Sequence, residues 1–263
     1  YDRCPQCGGI MKHIGTGTQK VEEELHALFP GAKVLRMDTD TVGASHGHEK
    51  LLRQFEEEKI PILLGTQMVA KGLDFENVTL VGVLCADASL YIDNYRAPER
   101  TFSLLSQVVG RAGRGSKQGR AIIQTFTPEN EVIRAAAAQD YDAFYESEIR
   151  MRRLRRYPPF ADLFSFTVTG ADESRVIRAA KALRDALGYA VERREELKPL
   201  SIEVLGPAGA SVVKGNNRYR YRVFLVGKGC PALRRLVAEY LYAFYQHKEN
   251  RGLDIFADCN AIQ

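Results

Sequence analysis

From Lys33 to Phe126, short runs of β-branched and aliphatic residues alternate with longer stretches of helical periodicity. Residues 34–37, 62–65, 78–84 and 121–126 are strand-length and apolar, and they read as buried strands. Residues 21–29, 49–58 and 98–109 between them are predicted helical, with Thr18 as N-cap of the first and Glu22, Glu23 and Glu24 in its opening turns. Strands alternating with helices predict a mostly parallel sheet with helices on both faces. Residues 129–151 are predicted to form a further helix leading out of this region.

Tyr157-Pro158-Pro159-Phe160 then stops any helix, because proline lacks the amide hydrogen and its ring crowds the preceding turn. A domain boundary is placed there. The remainder reads strand (163–169), helix (173–194), strand (202–205), strand (219–226), helix (232–245) and strand (253–257). That order is the split βαβ, ferredoxin-like arrangement, which hosts many functions and by itself names none.

Composition adds limits. At 263 residues the prior is two domains, and 45% hydrophobic with 27% charged residues is ordinary for a globular protein. A formal charge of +4 permits nucleic-acid binding without demanding it. Arg150, Arg152, Arg153, Arg155 and Arg156 crowd together just before the proline pair. Two readings of this run stand open: a solvated helix face, or a phosphate-facing patch at the domain junction. No stretch reaches the roughly 20 apolar residues that a membrane span needs. The chain opens with neither Met nor a secretory signal, so it is expected to be a piece of something longer. Its Cys residues are odd in number and mostly isolated, which argues against a disulfide framework and for a reducing cytoplasm.

The residues with most chemistry lie in two segments. Gln107-Val108-Val109-Gly110-Arg111-Ala112-Gly113-Arg114 follows a predicted helix and ends in a glycine-rich turn, where two arginines can reach one anion. Guanidinium suits phosphate because it stays charged and forms paired hydrogen bonds. Some forty residues upstream, Gly65-Thr66-Gln67-Met68-Val69-Ala70-Lys71-Gly72-Leu73-Asp74-Phe75 follows a predicted strand. Open α/β sheets place their ligand sites at such strand ends.

These segments resemble motifs VI and V of superfamily 2 helicases. With Gly15-Thr16-Gly17-Thr18-Gln19, the run from Arg36 to Thr41, Ala86-Asp87, Arg96-Ala97-Pro98-Glu99-Arg100, Tyr157-Pro158-Pro159-Phe160, Gly206-Pro207 and Tyr219-Arg220, the chain resembles the primosomal protein N′ family nearly end to end. Members of that family are bacterial replication-restart helicases. The resemblance implies residues 1–17 as the remnant of a zinc-binding module, 18–156 as a RecA-like second helicase lobe, and 157–263 as a small C-terminal αβ domain. It implies that Arg111 and Arg114 are arginine fingers directed at the γ-phosphate of ATP, with Gln107 close to the same phosphate. Such a finger accelerates hydrolysis by roughly three to five orders of magnitude. Gly72 and Asp74 would line the ATP cleft, and Thr66, Gln67 and Lys71 would hold the DNA backbone without base specificity. Leu73, Ser103 and Asp93 depart from the family pattern, but none removes a charge the mechanism needs.

Cys4-Pro5-Gln6-Cys7-Gly8-Gly9 has the form of a zinc knuckle, yet a structural zinc wants four ligands and this is one pair. His46 and His48 are either further zinc ligands or, on the plainer reading, solvated loop residues; Cys85, Cys230 and Cys259 read as structural, free and buried. No glycine-rich loop of the phosphate-cradling kind occurs in the sequence, so ATP and magnesium are expected only with the preceding lobe, and this stretch alone is expected not to hydrolyse ATP. Alternating Arg218, Tyr219, Arg220, Tyr221 and Arg222 predict a strand with one aromatic and one cationic face. It suits either single-stranded DNA or a half-buried structural strand.

The resemblance further implies single-stranded and branched DNA, single-stranded DNA-binding protein, and primosome and replicative-helicase loading proteins as partners. It implies a cytoplasmic, nucleoid-associated location. The expected function is the C-terminal half of an ATP-dependent 3′-to-5′ DNA helicase that restarts stalled forks and initiates primosome assembly. The alternatives are another superfamily 2 motor and a non-enzymatic DNA- or protein-binding module.

Overall fold

A computed structural model describes residues 17–38, 47–66, 78–110 and 119–261. Contacts divide the chain into two compact units: Tyr1–Ile92 with Ala97–Tyr145, and Asp93–Arg96 with Glu146–Gln263. The second unit thus includes four residues from the middle of the first unit's sequence.

In the first unit, α1 (Thr18–Leu28), β1 (Val34–Met37), α2 (Gly47–Glu57) and β2 (Ile62–Gly65) alternate as the hydrophobic pattern predicts. Strands β1 and β2 pair in parallel, Val34 opposite Ile62 through Met37 opposite Gly65. Next come β3 (Leu80–Val83), a short α3 (Asp87–Leu90), α4 (Ala97–Val109) and β4 (Arg120–Ile123). Strands β3 and β4 also pair in parallel. This is the α/β architecture expected of a RecA-like lobe. Its core joins α3, α4 and the helices that follow β4, through Ala86, Phe102, Leu105, Ile133, Ala136 and Phe144. The rings of Phe102 and Phe144 stack 4.2 Å apart.

Two expectations about this unit are corrected. Gly17, not Thr18, is the N-cap of α1, and it makes no side-chain cap bond. Thr18 is already helical, and its hydroxyl donates instead to Asp38 Oδ2 at 2.7 Å. The first turn therefore contains no acidic residue, and Glu22, Glu23 and Glu24 sit further along the helix. The single helix expected over 129–151 is two helices, α5 (Glu131–Ala138) and α6 (Tyr141–Leu154). Gln139 adopts a left-handed conformation (φ 56°) that ends α5, and Asp140 Oδ1 accepts from the Ala143 amide to start α6. Helical periodicity persists through this break, so the pattern alone does not reveal it.

The C-terminal sheet is built from β5 (Asp162–Gly170), β6 (Glu203–Gly215), β7 (Arg218–Gly227) and β8 (Asp254–Cys259). Helix α7 (Glu173–Arg193) joins β5 to β6, and α8 (Pro231–Gln246) joins β7 to β8. The spatial order is β6-β7-β5-β8 with every neighbour antiparallel, which is the split βαβ arrangement predicted. The core lies on one face, where Phe164, Phe166, Val168, Val223 and Leu225 meet Val176, Leu183, Leu187, Leu233 and Leu236 of the helices. Strand β6 is far longer than expected because it continues past Gly206-Pro207 into a hairpin. Asn216 and Asn217, both at positive φ, form its turn, a position Asn tolerates well.

Candidate functional site

The carboxyl ends of β1 and β2 lie side by side, with Met37 opposite Gly65. Asp38 follows β1 and is buried; Thr66 follows β2 and is exposed. Asp38 Oδ2 accepts from Thr18 Oγ1 and lies 3.1 Å from Arg36 Nε, whose Nη1 reaches Glu22 Oε2 at 3.0 Å. This network fixes the N-terminus of α1 and the end of β1 beside Thr66. Thr66 stands exposed at the carboxyl end of its strand. Gln67, Lys71, Gly72 and Asp74, expected in the same segment, lie outside the described residues.

The second expected segment begins on α4. Gln107 is half-buried near its C-terminus, and the Gly110 amide still donates to Ser106 O at 3.0 Å. Gln139 Nε2 donates to the same carbonyl at 3.3 Å. A Cβ built on Gly110 would come within 2.9 Å of Gln139 Nε2, so a glycine leaves that amide room to approach. Gln139 was not visible as a site neighbour in the sequence, since nothing local marks it as reaching α4. Arg111 and Arg114 lie outside the described residues.

The ends of β3 and β4 carry a third arrangement. Asp87, 1% exposed, opens α3 and accepts from the Phe126 amide and from the hydroxyls of Thr125 and Thr127 at 2.7–2.9 Å. Burial pushes its carboxyl pKa up, but the bonds from Phe126, Thr127 and Thr125 outweigh that and hold it below its ordinary value. Asp87 therefore stays ionised and ties the chain after β3 to the chain after β4. In the sequence Asp87 stands out only within the Ala86-Asp87 pair that contributes to the family resemblance. Its signal was a carboxylate just past an apolar strand, opposite a Thr-rich strand end.

In the C-terminal unit, packing assigns the two faces of β7. Tyr219 and Tyr221 lie on the helix-covered face, packed against the core. Tyr221 donates to Glu173 Oε1 at 2.8 Å; this bond, then burial, raises its hydroxyl pKa. Both rings are partly buried against that core. Arg218, Arg220 and Arg222 occupy the opposite face, where Arg218 meets Thr169 and Asp254.

The arginine run also resolves by residue. Arg152 binds Glu148 Oε1 at 2.7 Å and Pro158 O at 3.2 Å, and Arg156 binds Glu203 Oε1 and Ser201 O. These two are ties within the unit. Arg153 lies over the Phe160 ring, and Arg150 and Arg155 are exposed.

Cys4 and Cys7, the expected half zinc site, lie outside the described residues together with His46, whereas His48, expected in a loop, belongs to α2. Among the described residues no group of three metal-ligating side chains occurs. The expectation that all three remaining cysteines are buried is corrected: Cys85 and Cys230 are half-buried and Cys259 is exposed. Cys85 falls beyond the end of β3, in a turn with φ 52°, so it is not a strand residue. Cys230 instead caps α8, its Sγ accepting from the Leu233 amide. No helix among the described residues is long and apolar enough to cross a membrane.

Comparison with known proteins adds independent findings. Residues 14–116 match the family described as helicase conserved C-terminal domain, and residues 153–260 match the primosomal protein N C-terminal domain. The chain is 41% identical over 258 residues to the replication restart protein PriA of Bacillus subtilis (strain 168), covering 98% of this chain and 31% of that protein. It is 40% identical over 223 residues to the PriA protein of Synechocystis, covering 84% and 26%, and 36% identical over 244 residues to that of Treponema pallidum, covering 92% and 36%. The chain thus spans about a third of the length of these relatives, or less.

Proposed function

From a chain that belongs to the primosomal protein N family of replication restart proteins, we propose the C-terminal half of an ATP-dependent 3′-to-5′ DNA helicase that restarts stalled forks and initiates primosome assembly. One observation carries this reading. Both domain families occur in a single chain, and the first of them retains Arg111, Arg114 and the full Thr66 to Asp74 set.

In this reading ATP is bound by a preceding lobe, which also holds the magnesium. Arg111 and Arg114 meet the γ-phosphate when the two lobes close, and neutralise charge as it builds in the transition state. Gln107, four residues before Arg111 in the sequence, assists at that phosphate. Gly72 and Asp74 line the cleft; Thr66, Gln67 and Lys71 grip the backbone of one strand. Release of the products reopens the lobes and shifts that grip. Cys4 and Cys7 supply two thiolates of a four-ligand structural zinc site. The partners are single-stranded and branched DNA, single-stranded DNA-binding protein, and primosome and helicase-loading proteins, in the bacterial cytoplasm at the nucleoid.

Strand displacement by the longer protein tests the polarity. A duplex with a 3′ single-stranded tail is unwound with ATP, and one with only a 5′ tail is not. Equal unwinding of both would remove the assigned direction, and binding without unwinding would favour a non-enzymatic module.

A further inference from the structure

The arginines between residues 150 and 156 divide into two sets. Arg152 and Arg156 are engaged inside the C-terminal unit. Arg152 binds Glu148 Oε1 and Pro158 O, and its guanidinium stands 5.6 Å from the centroid of the Tyr95 ring. Arg156 binds Glu203 Oε1 and Ser201 O. Arg150, Arg153 and Arg155 are exposed, and none of them forms an ion pair among the described residues.

Local geometry keeps these three close together on the surface. Positions three and four apart share a helix face, with Cβ atoms roughly 5–6 Å from each other. Glu146, Ile149, Arg150 and Arg153 of α6 accordingly form one stripe, and they line an open hollow of about 260 Å³. Leu154, 77% exposed, lies one turn beyond Arg150. The helix closes there. The amides of Arg155, Arg156 and Tyr157 donate to the carbonyls of Met151, Arg153 and Arg152, and Arg156 takes a left-handed φ of 53° that turns the chain. The Phe160 amide then donates to Tyr157 O, and the Phe160 ring meets the Arg153 guanidinium with its centroid 5.0 Å away.

That ring contact bears on what Arg153 can still bind. An aromatic face attracts a cation but leaves its charge and its N–H groups available, whereas a carboxylate would take up both. The side chain is also held in place before a ligand arrives, which lowers the ordering cost of binding. Arginine near a helix C-terminus gains from the helix dipole, and this favours Arg153 at its position. It does not account for the missing acid partners. Glu146 precedes Arg150 by four residues, the favourable order for a helical ion pair, yet the two do not pair.

The neighbouring apolar groups select among nucleic acids. Met151, Leu154 and Phe160 are all exposed and interleave with the three arginines in the sequence. A duplex turns phosphates and sugars to a protein surface and keeps its bases stacked inside. A single strand offers unstacked bases beside its phosphates, so apolar and cationic side chains both find partners.

We propose that Arg150, Arg153 and Arg155 form a phosphate-binding surface for single-stranded DNA, without base specificity, in which Phe160 is the positioning residue for Arg153. It rests on the reading of DNA as a partner, and it adds a contact in the C-terminal unit to the strand grip assigned to Thr66, Gln67 and Lys71.

The test is binding of a labelled oligothymidylate to the full-length protein, followed by fluorescence anisotropy across a range of salt concentrations. Each neutralised phosphate of a single strand contributes about 0.7 to the slope of log affinity against log salt. The triple variant Arg150→Gln, Arg153→Gln, Arg155→Gln is expected to lose about 2 from that slope and about tenfold in affinity at low salt. A control that removes the same charge from other exposed positions of the unit, Arg178→Gln, Lys181→Gln, Lys228→Gln, keeps the wild-type slope. Phe160→Leu weakens binding about threefold, and has no further effect in an Arg153→Gln background. An unchanged slope in the triple variant overturns the surface, and so does an equal loss in the control. A larger loss for a blunt duplex than for oligothymidylate overturns the single-strand assignment, and independent effects of Phe160→Leu and Arg153→Gln overturn the positioning role. If the triple variant does not fold, Arg155→Gln, beyond the end of the helix, decides by a slope loss of about 0.7 or none. Wild-type protein that binds no oligothymidylate at any salt defeats the DNA reading itself, and the surface falls with it.

Discussion

The hydroxyl of Thr127 donates to the buried carboxylate of Asp87 at 2.7 Å, joining the strand end after β4 to the first residue of α3. With the Phe126 amide and the Thr125 hydroxyl, it holds that carboxyl below its usual value of 3.8 despite burial. A depressed carboxyl pKa contributes stability that is present above the unfolded value and lost as pH falls through the folded one. The lobe should therefore lose stability below about pH 4. Asp87→Asn should cost about 1–2 kcal/mol at pH 7, by weakening charge-assisted bonds. It should also flatten the acid dependence. Denaturant unfolding at pH 7 and between pH 5 and 3 reads both, and identical acid slopes in the two proteins would refute the assignment.

Gly206 sits at φ 101°, and a Cβ there would come 2.7 Å from Arg222 O, a backbone atom of the neighbouring strand. Neither the dihedral nor the strand can give way cheaply. Gly206→Ala is expected to destabilise the C-terminal unit by about 3 kcal/mol. Gly188→Ala, in α7 with open space around its Cβ, is expected to be neutral or slightly stabilising. Thermal unfolding of the two variants separates a local requirement from a general intolerance.

The tyrosines of β7 make a different prediction. Tyr221→Ala removes core packing and the bond to Glu173, so stability drops by about 2 kcal/mol. Affinity for single-stranded DNA should change less than twofold once folding is allowed for. A tenfold loss of affinity at unchanged stability would mean that the ring stacks on bases after all.

Much of the fold was legible because burial imposes period on sequence. The strands at Val34–Met37 and Ile62–Gly65 matched residue for residue, and the six-element order of the C-terminal sheet followed from alternation and turn residues. What failed was local and non-periodic. Gln139 breaks a helix through a dihedral that no composition demands, and Thr18 bonds to Asp38 twenty residues away rather than capping its own helix. At the site, the role of Gln107 came from the resemblance of its segment and not from spacing. Gln139 beside Ser106, and Tyr95 held by Asn260, depend on contacts across 33 and 165 positions that a single sequence does not display. The β7 alternation predicted two faces correctly, but only the packing of α7 and α8 says which one is covered.

The most direct measurement is single-strand-stimulated ATP hydrolysis by the full-length protein beside its Arg114→Ala variant. The account predicts robust hydrolysis in the first and a fall of two or more orders of magnitude in kcat in the second, as loss of a finger demands. Wild-type protein that binds DNA without turning over ATP, or a variant that hydrolyses it at the wild-type rate, would contradict the account.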